Sequence, residues 1–236
     1  MKRSMRGHLR PSRRVLCLML LLTITAGVHA LSYLSVETGQ MVVFNPDEGA
    51  LSPIVTAVGA AIPFIEVGVF RFELSTLIWG TQYYVAPTGR TVPAQYEAGQ
   101  FTVLGVWLAP LAGVNFQIAR GKLELGAAAT MALNFRFPLF PWDPPESDAA
   151  WAATWSTAAT YFFGNARFLF PETDIWIRWR VAESLSLALT VKALYPLFHL
   201  WDRDGATAGD QFMLAVVLGF DIPIEPRRAA DQEAAP

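Results

Sequence analysis

Ten charged residues carry most of the chemistry this sequence offers. Arg71, Lys122, Arg136, Arg178, Arg180 and Lys192 recur beside Glu73, Glu124, Asp174 and Asp221, with Asn134 among them. Many sit two residues from another member of the set. An extended chain would therefore aim them to one side. Charges gathered on a covered face must pair, because burying an unpaired ion is strongly unfavourable. Such a face makes either an ionic ladder that shuts an interior or a narrow polar path or ligand cleft.

Other chemistry is thinner. Beyond residue 30 the one histidine is His199. A metal site or a His-based triad needs partners at recognisable spacing, and the sequence shows none. His199 reads as an exposed rim residue, with a hydrolase using His199 as the alternative. Asp202-Arg203-Asp204-Gly205 resembles half a calcium loop but lacks the later ligands and the bidentate Glu. It reads as a polar turn. Trp79, Tyr83, Tyr84, Tyr96, Trp107, Trp142, Trp176, Trp179, Tyr195 and Trp201 fall mostly near the ends of apolar segments. That placement suits interfacial aromatic girdles, with carbohydrate stacking as the sharper alternative. No cofactor motif and no metal site is expected.

The elements that hold these residues are set by hydrophobic period. In residues 122–137 (KLELGAAATMALNFRF), Leu123, Leu125, Met131, Leu133, Phe135 and Phe137 alternate with Lys122, Glu124, Thr130, Asn134 and Arg136. The period is two over sixteen residues, which is a strand and not a helix. The same alternation recurs in 70–78, 174–181, 184–195 and 211–222. In the last, Phe212, Leu214, Val216, Leu218, Phe220 and Ile222 share a face free of polar residues. Segments of roughly ten residues, apolar on one face and polar on the other, are what an outer-membrane barrel needs. Residues 98–119 carry no charge and are long enough for a membrane helix. Elsewhere charges spaced by two interrupt any such helix, at about 2.5–3.5 kcal/mol for each one at its centre.

Turns supply a count. Short ones are expected at 62–65, 119–121 and 181–184, and longer polar connections at 45–51, 86–99, from 139 onward, and 200–210. Alternating the two kinds predicts eight strands near 31–44, 52–63, 66–85, 99–117, 122–138, 172–182, 184–198 and 210–223. Both ends then lie on the periplasmic side. Residues 147–164 (SDAAWAATWSTAATYFFG) do not fit this parity. Ser147 or Asp148 can cap a helix start and Gly164 can end it, with Trp151, Trp155, Ala159 and Phe162 on one face. This stretch reads as a helix in the third outer connection, covering the mouth or touching the membrane surface. The alternative is a strand in a ten-stranded barrel.

Composition agrees. The chain of 236 residues is 53% hydrophobic and 16% charged, against roughly 25% charged in an ordinary soluble domain. Residues 1–30 join a basic start to the apolar run VLCLMLLLTITAG and end in Val28-His29-Ala30, the pattern of a secretory signal peptide. They hold six of the 18 cations and none of the 20 acids. The remainder has 12 cations against 20 acids, a net −8, which argues against nucleic-acid binding. The single cysteine, Cys17, lies in the apolar run, so the exported chain would have no thiol and no disulfide. The expected divisions are a signal peptide (1–30), an outer-membrane β-barrel (31–224) and a polar periplasmic tail (225–236).

On these features, and on the closing strand QFMLAVVLGFDIPI, the chain resembles the small eight-stranded outer-membrane proteins of the OmpW/OmpA-like kind, with a spirochaete-type texture. Its polar tail after Phe220 departs from the terminal aromatic of such families. The resemblance implies an all-β antiparallel transmembrane barrel, exported through the general secretory pathway. It also implies outer-membrane lipid and the barrel-assembly machinery as partners. The function expected is non-enzymatic: a narrow pore for small or hydrophobic solutes, or else a closed-lumen structural or surface-contact barrel. Oligomeric state is left open.

Overall fold

Eight long strands and one short one account for most of the chain. The computed structural model describes residues 33–45, 52–94, 97–142, 147–182, 184–201, 207 and 209–224, with backbone alone at 120. The expected signal peptide, the tail 225–236 and the half calcium loop lie outside these. The strands are β1 (Tyr33–Val43), β2 (Ile54–Val67), β3 (Phe70–Val85), β4 (Thr91–Pro93), β5 (Phe101–Ile118), β6 (Leu123–Pro141), β7 (Leu169–Ala182), β8 (Leu185–Leu194) and β9 (Met213–Pro223). Helix α1 (Asp148–Phe163) lies between β6 and β7.

The sheet closes on itself. β2 pairs with β1, β1 with β9, and the order runs on through β8, β7, β6 and β5 to β3, which pairs back to β2. All pairings are antiparallel, and β4 is a three-residue addition to β3. Eight strands therefore form a barrel without an open edge, and the ten-stranded alternative is excluded. The tight connections β2–β3, β5–β6 and β7–β8 gather at one end with both ends of the wall. The longer connections, α1 among them, gather at the other. These are the turn end and the loop end below; in outer-membrane barrels they face the periplasm and the exterior.

Alternation decides the two sides of the wall. Every barrel strand exposes large apolar side chains outward, among them Val36, Val58, Leu74, Phe116, Leu125, Ile175, Leu189 and Leu218. A soluble monomer rarely exposes a contiguous apolar patch above a few hundred Å², and here the patch encircles the barrel. Among the described residues no helix is long and apolar enough to cross a membrane. The strands are the spanning elements, with every wall backbone group able to pair inside the closed sheet.

Two cross-strand pairs make room for bulk inside. Trp79 lies opposite Gly105, and Trp176 opposite Gly126. A Cβ at Gly105 would sit 2.0 Å from the Trp79 indole, and one at Gly126 2.1 Å from the Trp176 indole. Each glycine lets a neighbouring indole lie flat against the inner wall.

Several expectations need correction. The stretch 62–65 is strand, not turn: a bulge between Pro63 and Ile65 absorbs the irregularity. The chain turns instead at 67–70, where Gly68 takes φ +61°. Strand β8 stops at Leu194, short of the expected 198, and Leu197–Leu200 form a 3-10 turn. Trp79, Tyr83, Trp107 and Trp176 are buried. They fill the lumen and do not belong to an aromatic girdle, because they share the face of the inward charges. Trp142, Trp179, Tyr195 and Trp201 are exposed, and Tyr96 lies outside the described residues.

Candidate functional site: the packed lumen

Three layers fill the barrel from the turn end to the loop end. The lowest is ionic. Arg71 on β3 pairs with Glu73 on its own strand and with Glu124 on β6 at 3.3 Å. Arg178 on β7 pairs with Glu124 and with Asp221 on β9. Both guanidinium groups lie over the Tyr33 ring, 5.1 and 4.8 Å from its centre. The Trp176 indole N–H donates to Glu124 at 3.1 Å. Glu124 thus serves three donors from β3 and β7, which suits a carboxylate with several lone pairs.

The middle layer is built around Lys192 on β8. Its Nζ donates to Asp174 Oδ2 at 2.7 Å and to Ser75 Oγ at 3.0 Å. Glu172 and Glu37 stand at 3.8 and 3.9 Å. Trp107 on β5 crosses the lumen, and its indole N–H donates to Glu172 at 2.7 Å. Lys192 and Trp107 are both only 1% exposed. The two lower layers set Arg71, Arg178 and Lys192 against seven carboxyls: Glu37, Glu66, Glu73, Glu124, Glu172, Asp174 and Asp221.

The third layer, at the loop end, holds its central cation among rings, beside a buried ion pair of Arg90 with Asp210. Arg136 on β6 is fully buried. It donates to Gln211 Oε1 at 2.7 Å and to the Arg167 carbonyl at 2.9 Å. Its guanidinium lies 4.5 Å from the centre of the Phe162 ring and 5.6 Å from that of Phe170. Gln211, held at φ +59°, passes its amide N–H to the Tyr161 hydroxyl at 2.7 Å. Burial pushes the Tyr161 phenol above its usual range. Helix α1 supplies this layer. Its start is capped by Ser147, whose hydroxyl accepts from the Ala150 N–H at 3.1 Å. The helix buries Ala158, Tyr161 and Phe162 in the mouth. Of the expected helical face, Phe162 is buried, whereas Trp155 is exposed.

The structure places the sequence-derived residues as follows. Arg71, Asn134, Arg136, Asp174, Lys192 and Asp221 are buried, and Glu73, Glu124 and Arg178 are half-buried. The Asn134 amide donates to the Met213 sulfur at 3.5 Å. Lys122 and Arg180 are exposed at the turn end, where the wall stops. They are not lumen-lining in the sense of the others. Arg180 instead borders a cavity of about 230 Å³ open at that end, with Tyr33, Glu66, Arg178 and Asp221. Sequence reasoning missed Glu37, Glu172, Ser75 and Trp107. For Ser75 and Glu172 parity was the signal, since each shares a face with Arg71 or Asp174 on its own strand; β1 and β5 held no assigned inward residue to point to Glu37 or Trp107. His199 sits at the loop end, its Nε2 2.8 Å from the Asp210 carbonyl oxygen. Among the described residues no group of three His, Cys, Asp or Glu could hold a metal ion.

A closed eight-stranded wall, an apolar belt and a side-chain-filled interior define a small transmembrane β-barrel of the outer-membrane type. No family model and no curated protein matches the chain. Solved structures are similar in fold at low identity. The outer membrane protein OprG from Pseudomonas aeruginosa is 9% identical over 83% of this chain and 95% of that one, with a TM-score of 0.45. Ail, the attachment invasion locus protein of Yersinia pestis, is 9% identical over 82% and 98%, with a TM-score of 0.43. A de novo designed transmembrane β-barrel is 10% identical over 84% and 100%, with a TM-score of 0.37.

Proposed function

We propose that the protein is a non-enzymatic barrel of a bacterial outer membrane whose lumen is closed, acting as a structural or surface-contact element and not as a pore. One observation supports this reading above the rest. From Arg71 through Lys192 and Trp107 to Arg136 and Phe162, buried side chains succeed one another along the axis. An eight-stranded barrel is just wide enough for side chains to fill, and here they come from opposite walls and bond across it. Solute passage would require separating Lys192 on β8 from Ser75 on the facing β3 and lifting Phe162 from Arg136. Packing of this kind along the axis favours the closed lumen over the narrow-pore alternative.

The test is single-channel recording in planar bilayers, on protein whose gel mobility shifts on heating and which is therefore folded. Silent membranes are expected. Stepwise conductance from the folded fraction would overturn the closed-lumen reading.

A further inference from the structure

Helix α1 has two apolar sides, and one of them faces away from the lumen. Ala158, Tyr161 and Phe162 are buried in the mouth, with Phe162 edge-on to Tyr83 at 5.3 Å. Trp155 and Phe163 remain 46% and 39% exposed. A helix turns about 100° per residue. That step sets Trp155 and Phe163 on the arc beside the plug, and Thr157 and Thr160 on a separate, hydroxyl-bearing arc.

The second apolar side is continuous with the belt of the barrel. The Phe163 ring lies 6.4 Å from Phe135 and 5.8 Å from Phe137, centre to centre. Phe135 in turn stacks on Phe168 at 6.0 Å. Phe137 points outward from β6, in line with the exposed Leu125 and Met131 nearer the turn end. The Trp155 indole N–H donates to the Pro138 carbonyl at 3.1 Å. That bond satisfies the indole's one polar group, so its ring can enter an apolar medium without an orphaned donor. Leu139, Phe140 and Trp142 extend the same exposed rim.

We propose that α1 is an interfacial helix: Trp155 and Phe163 lie in lipid beside the loop-end rim of β6, while Tyr161 and Phe162 on the same helix stopper the lumen. The occupant of the exposed face is the boundary between lipid headgroups and acyl chains. Amphipathic interfacial helices bury their apolar side about 5–10 Å into that boundary, and tryptophan is favoured there. The inference rests on the barrel being embedded in a membrane, as proposed above.

Site-directed spin labelling tests it on the full chain in lipid vesicles. In a Cys17→Ser background, single labels are placed at Ala152→Cys on the lipid side and Thr157→Cys on the hydroxyl side. A third, Leu218→Cys on the outer wall of β9, serves as the control. Oxygen should relax the labels at 152 and 218 more than a water-soluble nickel chelate does, and the label at 157 should show the reverse. A nickel-accessible label at 152 beside an oxygen-accessible label at 218 would overturn the helix inference alone. A label at 152 shielded from both reagents would also overturn it, since a protein surface would then cover the face. A nickel-accessible label at 218 would instead sink the membrane reading on which the inference rests.

Discussion

Lys192 and Arg136 are both buried cations on the inner wall of one barrel, yet they are accommodated by different chemistry. Lys192 is ringed by Asp174, Glu172 and Glu37, with the Ser75 hydroxyl as a fourth oxygen, accepting from its ammonium. Arg136 is held by an amide, a main-chain carbonyl and the faces of Phe162 and Phe170, and no carboxylate among the described residues touches it. A compact ammonium is strongly hydrated and needs oxygens when it leaves water. A planar guanidinium is weakly hydrated and stacks on rings. Position explains the rest. Mid-barrel there are only strands, so the carboxyls around Lys192 come from the adjacent β7 and from β1. At the loop end a helix reaches in and brings aromatic bulk with it.

Breaking the middle layer should cost most. Lys192→Met leaves three carboxyls around an apolar side chain. Removing one partner of a buried ionic group typically costs about 3–5 kcal/mol. A fall of that size is expected in the unfolding free energy of the refolded barrel from urea titration, and an unchanged value would show that the ionic layer does not depend on its cation. Arg136→Met should cost less, about 1–3 kcal/mol, since it orphans the Gln211 oxygen and one carbonyl but keeps the contact with the rings. If Arg136→Met proved the more damaging, the contrast drawn between the two layers would be wrong. The smallest effect is expected from Ser147→Ala, about 1 kcal/mol for a lost N-cap. Hydrogen exchange should quicken in α1 while the amides of β7 and β8 keep their protection. Equal loosening of strands and helix would mean that the plug and the wall open as one unit.

Much of the wall was legible in the sequence, since strand alternation is local. The faces of residues 122–137 and 211–222 could be read from period two, and turn lengths gave the strand count. Errors arose where a local cue competed with a distant one. Pro63 suggested a turn, but a bulge after it lets the strand continue, and Gly68 turns the chain five residues later. Trp79, Trp107 and Trp176 suggested a girdle because they are aromatic and near strand ends. The parity of Trp79 with Arg71 on β3, and of Trp176 with Asp174 on β7, already pointed inward. The matching glycines, Gly105 and Gly126, gain meaning only once register sets them opposite an indole.

By itself the sequence determined the alternation of the wall and which side chains meet lipid; it favoured eight strands over ten, and closure of the sheet decided between them. Tertiary structure alone decided the partners. Arg71 and Glu124 are 53 residues apart, and Lys192 and Ser75 are 117 apart. Alternation assigns a residue to a face with a period of two, whereas an ion pair across a lumen depends on the register and closure of the whole barrel. Which inward charges meet one another likewise depends on closure, and the filling of the mouth on a helix whose entry no local pattern specifies.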